Sequence, residues 1–133
     1  MTTHPVRIGD IISASAPDEL EALALGSCIA LIIYDPEIKV AAMAHILLPN
    51  NVATDKDNKE GKYATNAVPE TIRTVLNKGG KRERIKAKIA GGARMFELTG
   101  KNKLTLDVGK RNSEMVKKLL GEHNIPLISE DIG

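Results

Sequence analysis

"CIALIIYDPEIKVAAMAHILLP", residues 28 to 49, places two apolar runs around one turn signal, and its reading decides the fold. "CIALIIY" at 28–34 and "KVAAMAHILL" at 39–48 flank "DPEI" and read as a β-hairpin. Both runs are apolar at successive positions, so the strands belong inside a sheet covered on its two faces. The stretch also holds the only cysteine, Cys28, directly after Gly26-Ser27, and a histidine, His45, in the second run. A turn centred on Pro36 and Glu37 sets Ala30 opposite Met43 and Cys28 opposite His45. Directly opposed residues have Cβ atoms about 4.5–5.5 Å apart, close enough for a thiol and an imidazole to meet. Proline does not suit the tight turns that two-residue hairpins prefer, and a one-residue slip would send the pair to opposite faces.

That pair carries a definite chemistry. A free thiol has a pKa of about 8.5, and an adjacent imidazolium lowers it, giving a nucleophilic thiolate near neutral pH. The same histidine can then protonate an amine leaving group. Gly26 and Ser27 allow a tight backbone approach, so amide N–H groups beside Cys28 are candidates to hold an oxyanion. Against this stands the plainer reading: a lone cysteine in an apolar strand is first of all a small buried hydrophobe. If the dyad operates, Cys28 is expected to be partly exposed and to alkylate faster than a free thiol at pH 7.

Outward from the hairpin, "VRIGDIISAS" at 6–15 reads as an early strand, and alternation in residues 20–25 favours another. Residues 50–62 are polar and read as a loop; "DKDN" within it resembles a calcium loop but lacks the required glycine. A helix follows with Val68, Ile72, Val75 and Leu76 on one side, ended by Gly79-Gly80, and Pro69 fits only in its first turn. "KRERIKAKIA" at 81–90 becomes a strand with Ile85, Ala87 and Ile89 on one face and its basic residues solvated. "GGARMF" at 91–96 is a glycine turn without a phosphate-binding fingerprint, and "KLTLDV" at 103–108 is a further strand. "RNSEMVKKLLGEHN" at 111–124 is a helix capped by Asn112 or Ser113, with Met115, Val116, Leu119 and Leu120 inside; "IPLIS" at 125–129 closes the chain as a strand. The expected architecture is a single α+β domain over residues 1–133, a layered sandwich of a mixed, largely antiparallel sheet and two to three helices.

Composition narrows the function. At 133 residues the chain can bury a core without staples, and aromatics are only 2%, so nucleic-acid binding by base stacking is not expected. A net charge of +2 is too mild to point to DNA or an anionic membrane. One cysteine makes neither an internal disulfide nor a multi-cysteine zinc site. With no signal peptide and no apolar run near the roughly 18 residues of a membrane span, a cytoplasmic protein with a reduced thiol is expected.

At these residues the sequence resembles the CheD family, the chemoreceptor glutamine deamidases of bacterial and archaeal chemotaxis. The resemblance is carried by "LGSC" at 25–28, "YDP" at 34–36, "MAHILLP" at 43–49 and "GKYA" at 61–64. It continues through "AKIAGGARMF" at 87–96, "VGKRN" at 108–112 and "SEDIG" at 129–133. It implies a cysteine hydrolase with Cys28 as nucleophile and His45 as base, needing neither metal nor organic cofactor. Its implied substrates are glutamine side chains on methyl-accepting receptors, and its implied partner is a CheC-type phosphatase or another chemotaxis protein. Phe96, the only phenylalanine, is a candidate partner anchor if exposed, or else a core plug.

Many relatives carry a threonine six residues before the cysteine; Ala22 stands there and offers no hydrogen bond. His45 is therefore expected to be held less firmly unless another polar group substitutes. Two rival readings remain open: a weakly active adaptor that docks chemotaxis partners, and a cysteine peptidase using the same dyad on backbone amides.

Overall fold

The computed structural model describes residues 1–23, 25–50, 59–93 and 108–133. Its centre is a five-stranded sheet built from β2 (Ile11–Ser15), β4 (Ile29–Asp35), β5 (Val40–Ile46), β6 (Lys86–Gly91) and β7 (Leu127–Ile132). The strand order is β2-β5-β4-β6-β7, and every pairing is antiparallel except β6 with β7. Two short strands, β1 (Thr3–Pro5) and β3 (Glu19–Glu21), pair in parallel as a separate ribbon. Helices α1 (Ala64–Asn77) and α2 (Val108–Glu122) complete the α+β architecture.

The double-sided hydrophobicity of the hairpin is explained by what covers each face. Ile29, Leu31 and Ile33 of β4 and Ala42, Ala44 and Ile46 of β5 pack with Ala67, Val68, Ile72 and Val75 of α1 and Val116 and Leu120 of α2. Fully burying a Val, Leu or Ile side chain contributes about 1.5–3 kcal/mol, so this layer is the main source of stability. The opposite face carries a smaller cluster: Ala30 and Met43 pack with Val6, and with the partly buried Ile12, Leu20, Ala22, Leu25 and Ile32. His45 lies on this second face, opposite Ala30, because side chains alternate along a strand.

The hairpin register differs from the two-residue turn expected. Asp35 pairs with Val40, leaving Pro36 to Lys39 as a four-residue loop, with Lys39 at a φ of 57°. Asp35 is the cause: its Oδ1 accepts the Glu37 N–H at 3.0 Å, and its carbonyl accepts the Lys39 N–H at 2.9 Å. The shift is two residues, not one, so the faces survive while the partners change: His45 opposes Ala30.

Other boundaries move as well. Of the early strand expected at 6–15 only Ile11–Ser15 forms, as β2, with β1 at 3–5 ahead of it; of the strand expected at 20–25, Leu20 and Glu21 fall in β3. Pro69 is the sixth residue of α1, beyond its first turn. The helix starts early because the Ala64 and Thr65 N–H groups bond the Leu48 and Pro49 carbonyls, docking its start on the segment after β5. At its other end Gly79 adopts a φ of 103°, and the Gly79 and Gly80 N–H groups bond the Leu76 and Val75 carbonyls, a Schellman stop. Arg84, expected on a solvated face, instead forks onto the buried Asp35 at 2.8–3.1 Å. Helix α2 begins at Val108, which removes that residue from the strand expected at 103–108; the rest of that strand, Phe96 and "DKDN" lie outside the described residues.

Candidate active site

Cys28 sits at the last position of a tight turn that feeds β4. Its N–H donates to the Leu25 carbonyl at 2.7 Å, and Gly26 at the first central position has a φ of 51°. A side chain there would be strained, which is why glycine occupies this position of the turn. The Cys28 amide is therefore occupied within the turn and is not a free oxyanion donor. The turn is pinned from outside by the Ala93 N–H on the Gly26 carbonyl and the Gly92 N–H on the Cys28 carbonyl, both at 2.8 Å. This accounts for the glycine doublet. Gly91 has a φ of 104°, and a Cβ on it would overlap the Cys28 carbonyl oxygen.

His45 is fixed by backbone on every side. Its own N–H and carbonyl bond to Asp10 and Gly9 at 3.1 and 2.9 Å. Its ring Nδ1 lies 3.0 Å from the Val6 carbonyl. A carbonyl only accepts, so Nδ1 carries a hydrogen and donates it. The ring Nε2 is buried and has no hydrogen-bond partner among the described residues. Val6 thus supplies, from its main chain, the orienting group that Ala22 cannot. The Val6 segment is itself held by its N–H on the Glu21 carbonyl at 2.8 Å, a link between the two ribbon strands.

The β4–β5 ladder ends at Ile29 opposite Ile46, and Cys28 follows one residue beyond it, at the His45 end of the hairpin. Extending the β4–β5 ladder by one residue sets Cys28 against Leu47, two positions from His45 and on the same face. The ring Nε2 of His45 makes no hydrogen bond to the Cys28 sulfur. Both are enclosed, with Cys28 6% and His45 3% exposed. Burial pushes the Cys28 thiol above its ordinary range. Burial therefore disfavours the thiolate, and the partial exposure and fast alkylation expected of Cys28 do not follow from this structure.

A cleft of about 570 Å³ opens onto His45, lined by Pro5, Val6, Arg7, Ile8, Glu21 and Leu23. Leu23 on its rim is 72% exposed. Among the described residues no group of three or more His, Cys, Asp or Glu stands together to hold a metal ion, and no helix is long and apolar enough to cross a membrane.

Sequence reasoning overlooked three contributors. The Val6 carbonyl is a main-chain group and has no signature. Gly91 and Gly92 were legible as a turn, but not as the wall behind Cys28. Asn112, expected as a helix cap, is the fifth residue of α2 and wholly buried. Its Nδ2 donates to the Ser27 and Leu47 carbonyls, each at 2.9 Å.

These features can be set beside known proteins. The family model for CheD, chemotactic sensory transduction, matches residues 47–133, beginning just after His45. The curated relatives extend the match across the site. The probable chemoreceptor glutamine deamidase CheD of Clostridium novyi is 41% identical, covering 100% of this chain and 83% of its own. The chemoreceptor glutamine deamidase CheD of Thermotoga maritima is 44% identical over 96% of this chain and 77% of its own. The probable deamidase of the same name from Methanococcus vannielii is 42% identical over 96% and 80%. Among solved structures, the hypothetical protein YfiH of Bacillus licheniformis aligns with 93% of this chain and 50% of its own, at 13% identity and a TM-score of 0.48. With whole-chain identities near 40% to proteins from both bacteria and methanogens, and a family model matching well over half its length, this chain belongs to the CheD family of chemotactic sensory transduction proteins.

Proposed function

We propose that the chain is a chemoreceptor glutamine deamidase in which Cys28 is the nucleophile and His45 the base. The observation that carries the residue assignment is the His45 ring: Nδ1–H is committed to the Val6 carbonyl, while Nε2 is buried, unpartnered and on the Cys28 face. An orphaned ring nitrogen in an apolar site is costly, and accepting a thiol proton relieves it. In the first half-reaction the Cys28 proton passes to His45 Nε2, and the sulfur bonds to the glutamine side-chain carbonyl carbon. The carbon–nitrogen bond then breaks as His45 returns the proton to the leaving nitrogen, releasing ammonia. In the second half, water gives a proton to Nε2 and its oxygen attacks the thioester. The carbon–sulfur bond breaks, leaving a glutamate and a restored thiol.

Because burial disfavours the Cys28 thiolate, proton transfer accompanies attack instead of preceding it. Entry of the substrate amide displaces water from the site and strengthens each of these interactions. The cleft beside His45 is the approach for the receptor segment, with Leu23 on its rim. The resemblance supports a CheC-type phosphatase as a further partner and the cytoplasm as the compartment.

The test is intact mass spectrometry of a receptor cytoplasmic fragment incubated with the protein. Each deamidation replaces NH₂ by OH and adds about 1 Da, whereas the amide hydrolysis of a peptidase splits the chain. Cys28→Ala is expected to abolish the mass gain and His45→Ala to reduce it by about 10²–10⁴-fold, the range of general acid–base catalysis. An unchanged rate in Cys28→Ala overturns the assignment.

A further inference from the structure

We infer that Asn112 is a positioning residue that holds the Cys28 turn at a working distance from the His45 strand; this deepens the dyad assignment and rests on it. The β4–β5 ladder ends at the pair Ile29 and Ile46. One step further, where Cys28 would face Leu47, the backbones no longer pair: the Leu47 and Leu48 N–H groups turn away to the Lys62 carbonyl at 2.9 and 3.1 Å. The strands therefore splay at the position where the nucleophile sits.

The gap is closed by a side chain from a third element. Asn112 Nδ2 places one hydrogen on the Ser27 carbonyl and the other on the Leu47 carbonyl. The amide orientation is unambiguous, since two carbonyls both require a donor. Ser27 O belongs to the peptide plane that delivers Cys28, and Leu47 lies two residues beyond His45 on the same strand. One NH₂ group thus spans the two halves of the dyad. Asn112 Oδ1 meanwhile has no hydrogen-bond partner among the described residues. Asparagine is tolerated there with half of its amide unsatisfied, and a residue kept for packing alone would not need it. Without the NH₂ group, the Ser27 and Leu47 carbonyls lose the donor that ties the turn to the His45 strand.

Helix α2 can present Asn112 at this depth because its start is packed directly on the glycine doublet. A Cβ on Gly109 would overlap the Gly92 and Ala93 carbonyl oxygens. The chain therefore links Cys28, the glycine turn and α2 in one compact unit.

The experiment is a double-mutant cycle on thiol alkylation, which needs no receptor and so separates this inference from the choice of substrate. The quantity is the ratio of Cys28 alkylation rates by iodoacetamide with His45 present and with His45→Ala, in the full chain at pH 7. In the otherwise unsubstituted protein the ratio is expected to be about tenfold, because the imidazole accepts the thiol proton as the sulfur attacks the reagent. In Asn112→Ala it is expected to fall close to one, whatever the absolute rate does through altered exposure. Asn112→Ser, whose hydroxyl donates only one bond, keeps the test open if the alanine variant does not fold, and should give an intermediate ratio. A ratio that stays near tenfold in a folded Asn112 variant overturns the positioning role. A ratio of one in the unsubstituted protein overturns the dyad, and the inference with it.

Discussion

Replacing Gly91 by alanine tests whether the glycine wall sets the position of the nucleophile. The perturbation has two parts. Gly91 holds a φ of 104°, where an L side chain is strained by about 1–3 kcal/mol. Its new Cβ would also lie inside 3.0 Å of the Cys28 carbonyl oxygen, against 3.4–4 Å for ordinary contact. The Cys28 carbonyl must then retreat by roughly 1 Å, because a close-packed interior leaves no slack to absorb the overlap elsewhere. The same carbonyl accepts the Gly92 N–H, so its displacement also weakens the bond that pins the turn. A misplacement of about 1 Å in a reacting group can lower the rate on the order of 10²-fold. Gly91→Ala is therefore expected to lose about 10²-fold in kcat with a small change in KM, together with a lower unfolding midpoint. The assay is deamidation of a receptor fragment followed by intact mass, run well below that midpoint, with circular dichroism confirming the fold. A folded Gly91→Ala protein within twofold of the parent activity would refute the claim that this contact positions Cys28.

Ala22→Thr is expected to leave activity within about threefold of the parent or raise it slightly, since the Val6 carbonyl already orients His45; a tenfold rise would mean that the carbonyl does not hold the ring well enough, and a clear loss that the small packed alanine is required. Alkylation of Cys28 followed against pH should rise only at a pH above that of a free thiol, because burial disfavours the thiolate; a profile centred near neutrality would show a preformed ion pair. Arg84 beside Asp35 holds that carboxyl well below the usual carboxylate range, helped by the Lys81 and Glu37 N–H groups. A depressed carboxyl stabilises the fold above its unfolded pKa of about 3.9 and loses that contribution as pH falls through the native value. Asp35→Asn should accordingly lower the thermal midpoint at pH 7 and flatten its decline in acid; equal midpoints at pH 7 would show that the fork is unimportant.

What the sequence determined by itself was the family resemblance, the candidate pair and much of the secondary-structure pattern. A single cysteine after Gly-Ser, a histidine in the facing run and apolar strands on both sides of "DPEI" are local facts, and side-chain alternation preserved their shared face even though the register moved by two. The helix stripes of α1 and α2 were legible for the same reason: burial at every third or fourth residue is written into the order of residues. What only the tertiary structure decided was how the pair is held. Asp35 chose a four-residue loop through its hydrogen bonds, which turn propensity does not encode. The group that orients His45 is a main-chain carbonyl 39 residues away, and any residue type at position 6 would carry one. Asn112 reaches across 85 and 65 positions to close the gap beside Cys28, and a polar residue at that point of a helix reads from sequence as a cap. Backbone groups and long-range hydrogen bonds leave no periodic trace in a chain, so the candidate residues Cys28 and His45 were readable in advance and the groups packed around them were not.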